Sequence, residues 1–204
     1  MSPGATMERV YGALKERIRQ GQFGWGEHID PTRLSRDLAA SVTPVRDALH
    51  RLAGEGLIGS ESPSGFYMPI LTEAMLRDRY RWSAQILALV LSTASAERMQ
   101  AELSGSDDTH DTAQAAARFF RQLCFASDNR EHHEAIARVN DRLHPARQAE
   151  LDVLDDLLHE LETLRDLGRR GEVQAMRSAV RDYHRRRLRH VVPLMAQLHP
   201  RDKI

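Results

Sequence analysis

The chain has 204 residues, of which 41% are hydrophobic, 5% aromatic and 28% charged, a balance typical of soluble helical proteins. Because 29 basic side chains are matched by 29 acidic ones, no overall field draws the chain toward nucleic acid, and DNA binding would have to come from local placement. The longest apolar run, residues 86–91, is far shorter than the ~20 residues of a membrane-spanning helix, so we expect no membrane partner.

The single cysteine, Cys124, cannot form an internal disulfide, and no cationic segment followed by an apolar one stands at the N-terminus. We therefore expect a cytoplasmic protein. Cys124 lies in the apolar run 119–125, which favours a small buried residue over a nucleophile, since free cysteines are usually buried.

The first elements of the chain are short. After a loose start over residues 1–6, apolar side chains four apart predict a helix over residues 7–20, which glycines then end. His28 and Ile29 are expected to form a short strand, and Asp30 followed by Pro31 predicts the start of a second helix.

Residues 34–57 predict a helix-turn-helix. Two short helical patterns are separated by Ala39-Ala40-Ser41, and the second opens with Ser41-Val42-Thr43-Pro44, where proline is tolerated in a first helical turn. One face of this second helix is an apolar stripe made of Val45, Ala48, Leu49 and Leu52. Its other face carries a hydroxyl, a guanidinium and an imidazole, which suit a major groove: Thr43, Arg46 and His50, with Asp47 beside them.

A hairpin is predicted directly after the helix pair. Residues 57–60 and 65–68 have strand character and flank a Pro63-Ser64-Gly65 turn signal. Together the elements predict a winged helix-turn-helix. The plainer alternative, an amphipathic helix pair with solvated charges, is weakened by this hairpin.

These residues resemble the DNA-binding half of the GntR superfamily of bacterial transcription regulators, over roughly residues 5–70. The resemblance rests on Thr43-Pro44-Val45-Arg46 and the later Glu55-Gly56-Leu57. It departs at Val42, where the family usually has arginine, and at Ser64, where it often has a basic residue. From the pattern and the resemblance together, we expect DNA contacts from Arg33, Arg36, Ser41, Thr43, Arg46, His50 and Gly65, with solvated surface arginine as the alternative for the first two.

The second half is predicted to be all helical. A boundary near residue 70 gives a DNA-binding domain over 1–70 and an effector-binding and dimerisation domain over 71–204. Helical patterns cover residues 75–96, 112–125, 130–143, 145–167 and 172–194. The fold class is therefore mainly α, a winged helix-turn-helix followed by a helical bundle. Leucines at core spacing could also form a partner seam: Leu151, Leu154, Leu158, Leu161 and Leu164.

This half resembles the ligand-binding domain of the FadR-like (FCD) branch, chiefly through residues 119–129. In many relatives an aspartate and three histidines hold a divalent metal there, which can hold a small carboxylate. The matching positions in this chain are Ala116, Phe120, Leu161 and Tyr183. Since alanine, phenylalanine and leucine donate nothing, we expect neither metal nor other cofactor. A shifted alignment leaves His159, His184 or the His132-His133 pair as alternative ligands.

Without a metal, an effector must be held by fixed donors. We expect these to be Arg81, Asn129, Arg142 and Tyr183, with surface ion pairs as the alternative for the two arginines. The basic cluster of residues 185–189 is expected to stabilise a helix C-terminus or to bind an acidic partner surface.

The leading hypothesis is a transcription regulator that binds a palindromic operator in double-stranded DNA as a homodimer and responds to a small metabolite, a carboxylate in particular. A bundle enzyme is the less favoured alternative, since we find no catalytic pair, nucleophile motif or phosphate-binding loop. A winged-helix interaction protein that no longer binds DNA is kept open by Val42. Repression is as compatible with the sequence as activation.

Overall fold

A computed structural model describes residues 3–61, 65–105 and 111–199. The chain divides into two compact units, Met1–Leu71 and Thr72–Ile204. The first contains α1 (Pro3–Arg19), β1 (His28–Ile29), α2 (Pro31–Asp37), α3 (Val42–Gly54), β2 (Gly59–Glu61) and β3 (Gly65–Tyr67). The second contains α4 (Glu73–Thr93), α5 (Ala96–Leu103), α6 (Thr112–Cys124), α7 (Arg130–Glu150), α8 (Leu157–Arg169), α9 (Val173–Arg189) and α10 (Val191–Leu198). The mainly α prediction, with a winged helix-turn-helix and a helical bundle, is confirmed.

The first unit is built around the packing of α1 against α3. Both predicted apolar stripes are buried, with Val10, Leu14, Val45 and Leu52 fully so. The helix α1 begins at Pro3, so the loose start expected for residues 1–6 is wrong from residue 3 onward. Proline fits a first helical turn because the missing N–H would have no helical acceptor there.

The wing is a three-stranded antiparallel sheet in the order β1-β3-β2. The short strand predicted at His28-Ile29 is confirmed, since His28 pairs with Tyr67 and Ile29 with Phe66. The second strand begins at Gly59, two residues later than the sequence indicated, because Leu57 and Ile58 are buried in the core instead. The predicted turn at Pro63-Ser64 lies outside the described residues.

The second unit is a helical bundle in which α4 packs against α7 and α9, and α6 packs against α7. Cys124 is buried and free, as expected, and burial raises the pKa of its thiol to about 12. The helix α5 was missed by the sequence analysis; it begins where the Ser95 hydroxyl accepts a hydrogen bond from the Arg98 amide. Along the described residues, none of the helices combines the length and apolar character needed to cross a bilayer.

Two helix boundaries differ from the prediction. Pro145 lies inside α7, which continues to Glu150 because buried side chains on both sides of the proline hold it in the bundle. The break falls instead at residues 151–156, where Asp156 adopts a left-handed φ of 56°. This break divides the leucine series: Leu154, Leu161 and Leu164 are buried, whereas Leu151 and Leu158 are exposed. The predicted 172–194 helix likewise divides at His190 into α9 and α10.

The packing of α8 on α5 depends on Gly168. A Cβ at this position would lie 2.3 Å from Leu103 Cδ1 and 3.1 Å from Leu103 Cβ. We expect Gly168→Ala to lower the free energy of unfolding by about 1–3 kcal/mol through overpacking. Chemical denaturation followed by circular dichroism would measure it.

Gly12, on the exposed face of α1, is the matched control. A Cβ there meets nothing within 4 Å, so Gly12→Ala should stabilise by about 0.5–1 kcal/mol through helix propensity alone. Gly168→Ala should also cost less unfolding free energy when Leu103 is replaced by alanine, because the clashing side chain is then gone. An equal gain from both glycine replacements would contradict the packing argument.

Candidate nucleic-acid interface and bundle cavity

The turn between α2 and α3 is set by local hydrogen bonds. Asp30 caps α2, its Oδ1 accepting from the Thr32 amide at 2.8 Å, as the Asp-Pro signal predicted. The helix ends at Asp37, and the left-handed φ of 47° at Ala39 lets the Ala40 amide donate to the Ser35 carbonyl at 3.0 Å. Ser41 directly precedes α3 and makes no side-chain capping bond, so its side chain is left exposed.

The C-terminal end of α3 is fixed to α1. The Tyr11 hydroxyl donates to Glu55 at 2.8 Å, and Lys15 Nζ lies 3.2 Å from the same carboxylate. Gly56 has a φ of 71°, and the Leu57 amide donates to the Leu52 carbonyl at 3.1 Å, which is a Schellman ending. Glu55-Gly56-Leu57 therefore ends α3 and fixes the orientation of this helix against α1.

The exposed face of α3 carries the residues expected to meet DNA. Thr43, Arg46 and His50 are exposed one helical turn apart, opposite the buried stripe. The His50 ring meets the Phe66 ring edge-on at 4.8 Å, so strand β3 supports it. Among the described residues, no carboxylate forms an ion pair with Arg46.

The other predicted contacts flank this face. Arg33 and Arg36 are exposed on α2 and likewise form no ion pair within the described part of the chain. Gly65 begins β3 with a φ of 89°, and a Cβ there would lie 3.1 Å from His28 Nε2, so the position demands glycine. Val42, at the position where the family usually has arginine, is 38% exposed.

In the second unit, the positions matched to metal ligands come together. Ala116, Leu161 and Tyr183 line one cavity of about 10 Å³, and the Phe120 ring lies 4.9 Å from the Tyr183 ring. This donor set does not fit a divalent metal: three side chains donate nothing, and burial raises the pKa of Tyr183. The described residues hold no group of three or more His, Cys, Asp or Glu side chains able to bind a metal.

The same cavity is lined by charged residues that the sequence analysis did not select. Arg187 Nε donates to Glu150 Oε2 at 2.9 Å, and its Nη1 lies 2.8 Å from Glu160 Oε2. Tyr80 donates to Glu150 Oε1 at 2.6 Å. Burial alone would lower the pKa of Arg187, but the adjacent Tyr183, Glu150 and Glu160 raise it above the usual arginine value. The Arg187–Glu150 pair is buried, whereas the Glu160 side chain is 20% exposed.

Arg147 is the second buried guanidinium at this cavity, and it is only 2% exposed. Its Nη2 donates to Asn140 Oδ1 at 2.8 Å, while its Nε and Nη1 are buried without an acceptor. The Tyr183 hydroxyl is buried without a partner as well. Both Arg147 and Tyr183 line the cavity.

The four residues predicted to bind an effector lie in different environments. Arg81 is exposed and pairs with Asp78 at 3.3 Å, so its expected place near the bundle interior is wrong. Asn129 is exposed too, because its side chain caps α7 by accepting from the Glu131 amide at 3.0 Å. Arg142 is partly buried, and burial lowers its pKa, but it does not line the cavity. Tyr183 does.

Arg147 and Arg187 could have been found from spacing. Each falls at a core-facing position of a helix, four residues after Leu143 and Tyr183 respectively. An arginine within an apolar stripe is either a buried pair or a ligand-binding group. Arg187 also corrects the view of residues 185–189 as a surface cluster, since this member points inward.

The histidines kept as alternative ligands are separated. His159 is exposed, and His133 Nε2 lies 2.9 Å from the Cys124 carbonyl. His184 is buried, with Nδ1 donating to the Val180 carbonyl at 2.7 Å and Nε2 facing the Ser83 hydroxyl at 3.0 Å. A carbonyl can only accept, so Nδ1 carries the proton. Burial, with smaller effects of Arg147 and Arg187, lowers the pKa of His184 to about 3.

Comparisons with known proteins show which families and proteins this chain is similar to. Residues 6–68 match the family model described as "Bacterial regulatory proteins, gntR family". The chain is 26% identical over 154 residues to the uncharacterized HTH-type transcriptional regulator YdhC of Bacillus subtilis (strain 168), covering 68% of each. It is 26% identical over 137 residues to the Nta operon transcriptional regulator of Aminobacter aminovorans, covering 61% of this chain and 65% of that one.

Solved structures share the fold along nearly the whole chain. A Rhodococcus sp. RHA1 protein described as a GntR transcriptional regulator superimposes with a TM-score of 0.70 at 17% identity, covering 93% of this chain and 98% of that one. The E. coli protein McbR/YncC gives 0.65 at 18% identity, covering 95% and 98%. Both likenesses include the helical second unit as well as the winged one.

Because His184 is buried and neutral, we expect the free energy of unfolding to depend on pH. Its folded pKa of about 3 lies below its usual value of 6.5, so the unfolded chain binds the proton more readily. The resulting stability is complete above pH 6.5 and is lost as the pH falls toward 3. Between pH 7 and pH 5 this group should remove about 2 kcal/mol from the free energy of unfolding.

His184→Gln should flatten that dependence, which denaturation midpoints at pH 7 and pH 5 would show. Exposed His159 supplies the control, and His159→Gln should leave the wild-type dependence unchanged. Equal pH dependence in wild type and His184→Gln would contradict the assignment.

Proposed function

We propose, from the match of residues 6–68 to the model described as "Bacterial regulatory proteins, gntR family", that the chain belongs to this family, that it binds a palindromic operator as a homodimer through α3 and the wing, and that a small carboxylate bound in the bundle regulates it. The single observation that carries the proposal is the exposed face of α3, with Arg46 free of ion pairs among the described residues. Bacterial operators lie in the cytoplasm, which is where we propose that it acts.

The two ends of α3 suit it to a DNA groove. Its N-terminal end presents two hydroxyls, from Ser41 and Thr43, and the helix dipole there favours phosphate. Arg46 follows one turn later, where a guanidinium can bind guanine O6 and N7 together. Arg33 and Arg36 add positive charge from the preceding helix, so the interface is locally basic although the chain is neutral.

Dimerisation is supported by the energetics of reading a short site. One recognition helix offers few base contacts, and each good pair gives about 1–3 kcal/mol of discrimination. Two symmetric copies double those contacts and demand a palindromic operator. An effector then acts only through its different affinity for DNA-competent and incompetent arrangements of the dimer.

Arg46→Ala tests the interface directly. The probe is a fluorescent duplex selected from a random-sequence library with the wild-type protein. We expect Arg46→Ala to weaken binding by about 1–3 kcal/mol, roughly 5- to 150-fold, with an unchanged circular dichroism spectrum. Fluorescence anisotropy at fixed salt measures it.

Asp47 is the matched control on the same face of α3. Asp47→Ala removes an anion near the phosphates, so the affinity should stay equal or rise. If both substitutions leave the affinity unchanged, or wild type selects no duplex at low ionic strength, α3 does not bind DNA.

The interaction-protein alternative is favoured by one feature, the apolar Val42 in the first turn of α3. If α3 faces DNA, Val42→Arg should add a phosphate contact and steepen the salt dependence of non-specific binding by about one unit of log–log slope. Titration of a mixed-sequence 30-base-pair duplex at several salt concentrations measures the slope. An unchanged slope would favour a protein partner for this helix.

A further inference from the structure

The second half of α4 has an exposed face without any charge. From Trp82 to Ala96 the sequence contains no charged residue. Within this stretch Trp82 is 43% exposed and Leu89 is 52% exposed, and Met75, seven residues earlier, is 38% exposed. Large apolar side chains seven residues apart lie on one side of a helix. Because a helix face that stays in water normally carries charged or polar side chains, this face of α4 is suited to a partner.

A groove runs beside this face, between α4 and α9. Its volume is about 550 Å³. Ala84 and Ala88 line its α4 side with short side chains, and Val180 and Leu188 supply the apolar part of its α9 side. The exposed apolar side chains of α4 and the groove next to them belong to the same chain. A second copy can therefore fill the groove with the side chains that border it, which is the contact of identical surfaces that a twofold dimer requires.

Positive charge borders the groove along α9. Arg177 Nη2 donates to the Leu91 carbonyl at 2.6 Å, and Arg181 Nη2 donates to Ser178 Oγ at 3.2 Å. Within the ranges that the structure describes, neither guanidinium has a carboxylate at ion-pair distance. Both can therefore receive an acidic or aromatic side chain that enters the groove from outside.

An antiparallel pair of α4 helices matches both the apolar face and the charges. With a twofold axis near Gln85, Trp82 of one copy lies level with Leu89 of the other, and both side chains reach the groove. The exposed Asp78 then lies at the end of the other copy's α4, within about one turn of the level of Arg177. A parallel pair would instead place the two Arg177 side chains at the same level, where like charges repel.

We propose that a second copy of this chain docks its α4 antiparallel onto α4 and into the groove between α4 and α9, with Gln85 near the twofold axis. The inference rests on the homodimer of the proposed function and names the surface that forms it. The exposed Leu158 of α8 is a poorer candidate. Asp155 and Glu162, three and four residues away from it, are exposed as well, as on a solvated face.

Sedimentation velocity of the full-length protein over a range of concentrations tests the proposal without DNA. Wild type should form a dimer. Leu89→Glu should raise the dimer dissociation constant about 30-fold or more, because it places a charge inside an apolar contact. Leu158→Glu is the matched control and should leave the constant unchanged. Since both leucines are exposed, the circular dichroism spectra should match that of wild type.

Disulfide cross-linking tests the register. Gln85→Cys should form an intermolecular disulfide on mild oxidation, because the same residue of both copies meets near a twofold axis. Ser92→Cys, two turns further along the same face, should not cross-link in an antiparallel pair, whereas a parallel pair would join it to itself. The native Cys124 is buried, so wild type should give no cross-link. Non-reducing gel electrophoresis separates the products.

The opposite results overturn the proposal. A wild type that stays monomeric would leave the groove to a small ligand or a different protein. The surface is also wrong if Leu89→Glu associates as tightly as wild type, and in that case the proposed homodimer stands with its interface elsewhere. The register is wrong if Gln85→Cys gives no cross-link, or if Ser92→Cys cross-links as readily. A wild-type dimer that selects no duplex would refute the proposed DNA binding and leave this surface standing.

Discussion

The interior of the second unit depends on how its buried guanidinium groups are balanced. Arg187 has Glu150 at 2.9 Å on one side and Glu160 at 2.8 Å on the other, and Tyr80 adds a hydrogen bond to Glu150. A network this well satisfied can offset the desolvation of its charges. It holds α7 and α9 in register with α4. Arg147 lines the same cavity and donates to the Asn140 side chain.

In the first unit, too, a carboxylate with several partners fixes two helices to each other. Glu55 accepts from Tyr11 and pairs with Lys15, so α3 is fixed to α1 at the end away from its exposed hydroxyls. The buried stripe of α3 holds one face, and the turn at Ala39 sets the entry of the chain. All of these contacts use the inner face or the C-terminal end. The side chains on the exposed face of α3 are therefore not needed for packing and can contact a ligand.

Sequence reasoning succeeded where periodicity and capping are local. The stripes of α1 and α3, the Asp30-Pro31 start of α2 and the strand at His28 follow from rules that involve neighbouring residues. It failed at Pro145, where tertiary packing outweighs the loss of one backbone hydrogen bond. It also placed Arg81 and Asn129 inside the bundle, although a nearby Asp78 and an N-cap position were available to them. Burial of an arginine is decided by distant partners, which is why Arg147 and Arg187 were overlooked.

The cavity lies where four of the helices described in the second unit meet. Thr112 comes from α6, Arg147 from α7, Leu157 from α8 and Tyr183 from α9, so four helices meet around about 10 Å³. In a space this small, any occupant would make contacts whose strength depends steeply on the separation of those helices. The empty and filled cavities would favour different spacings. A ligand can shift an equilibrium only by its differential affinity, so an occupant of this cavity would act through the difference between the two spacings.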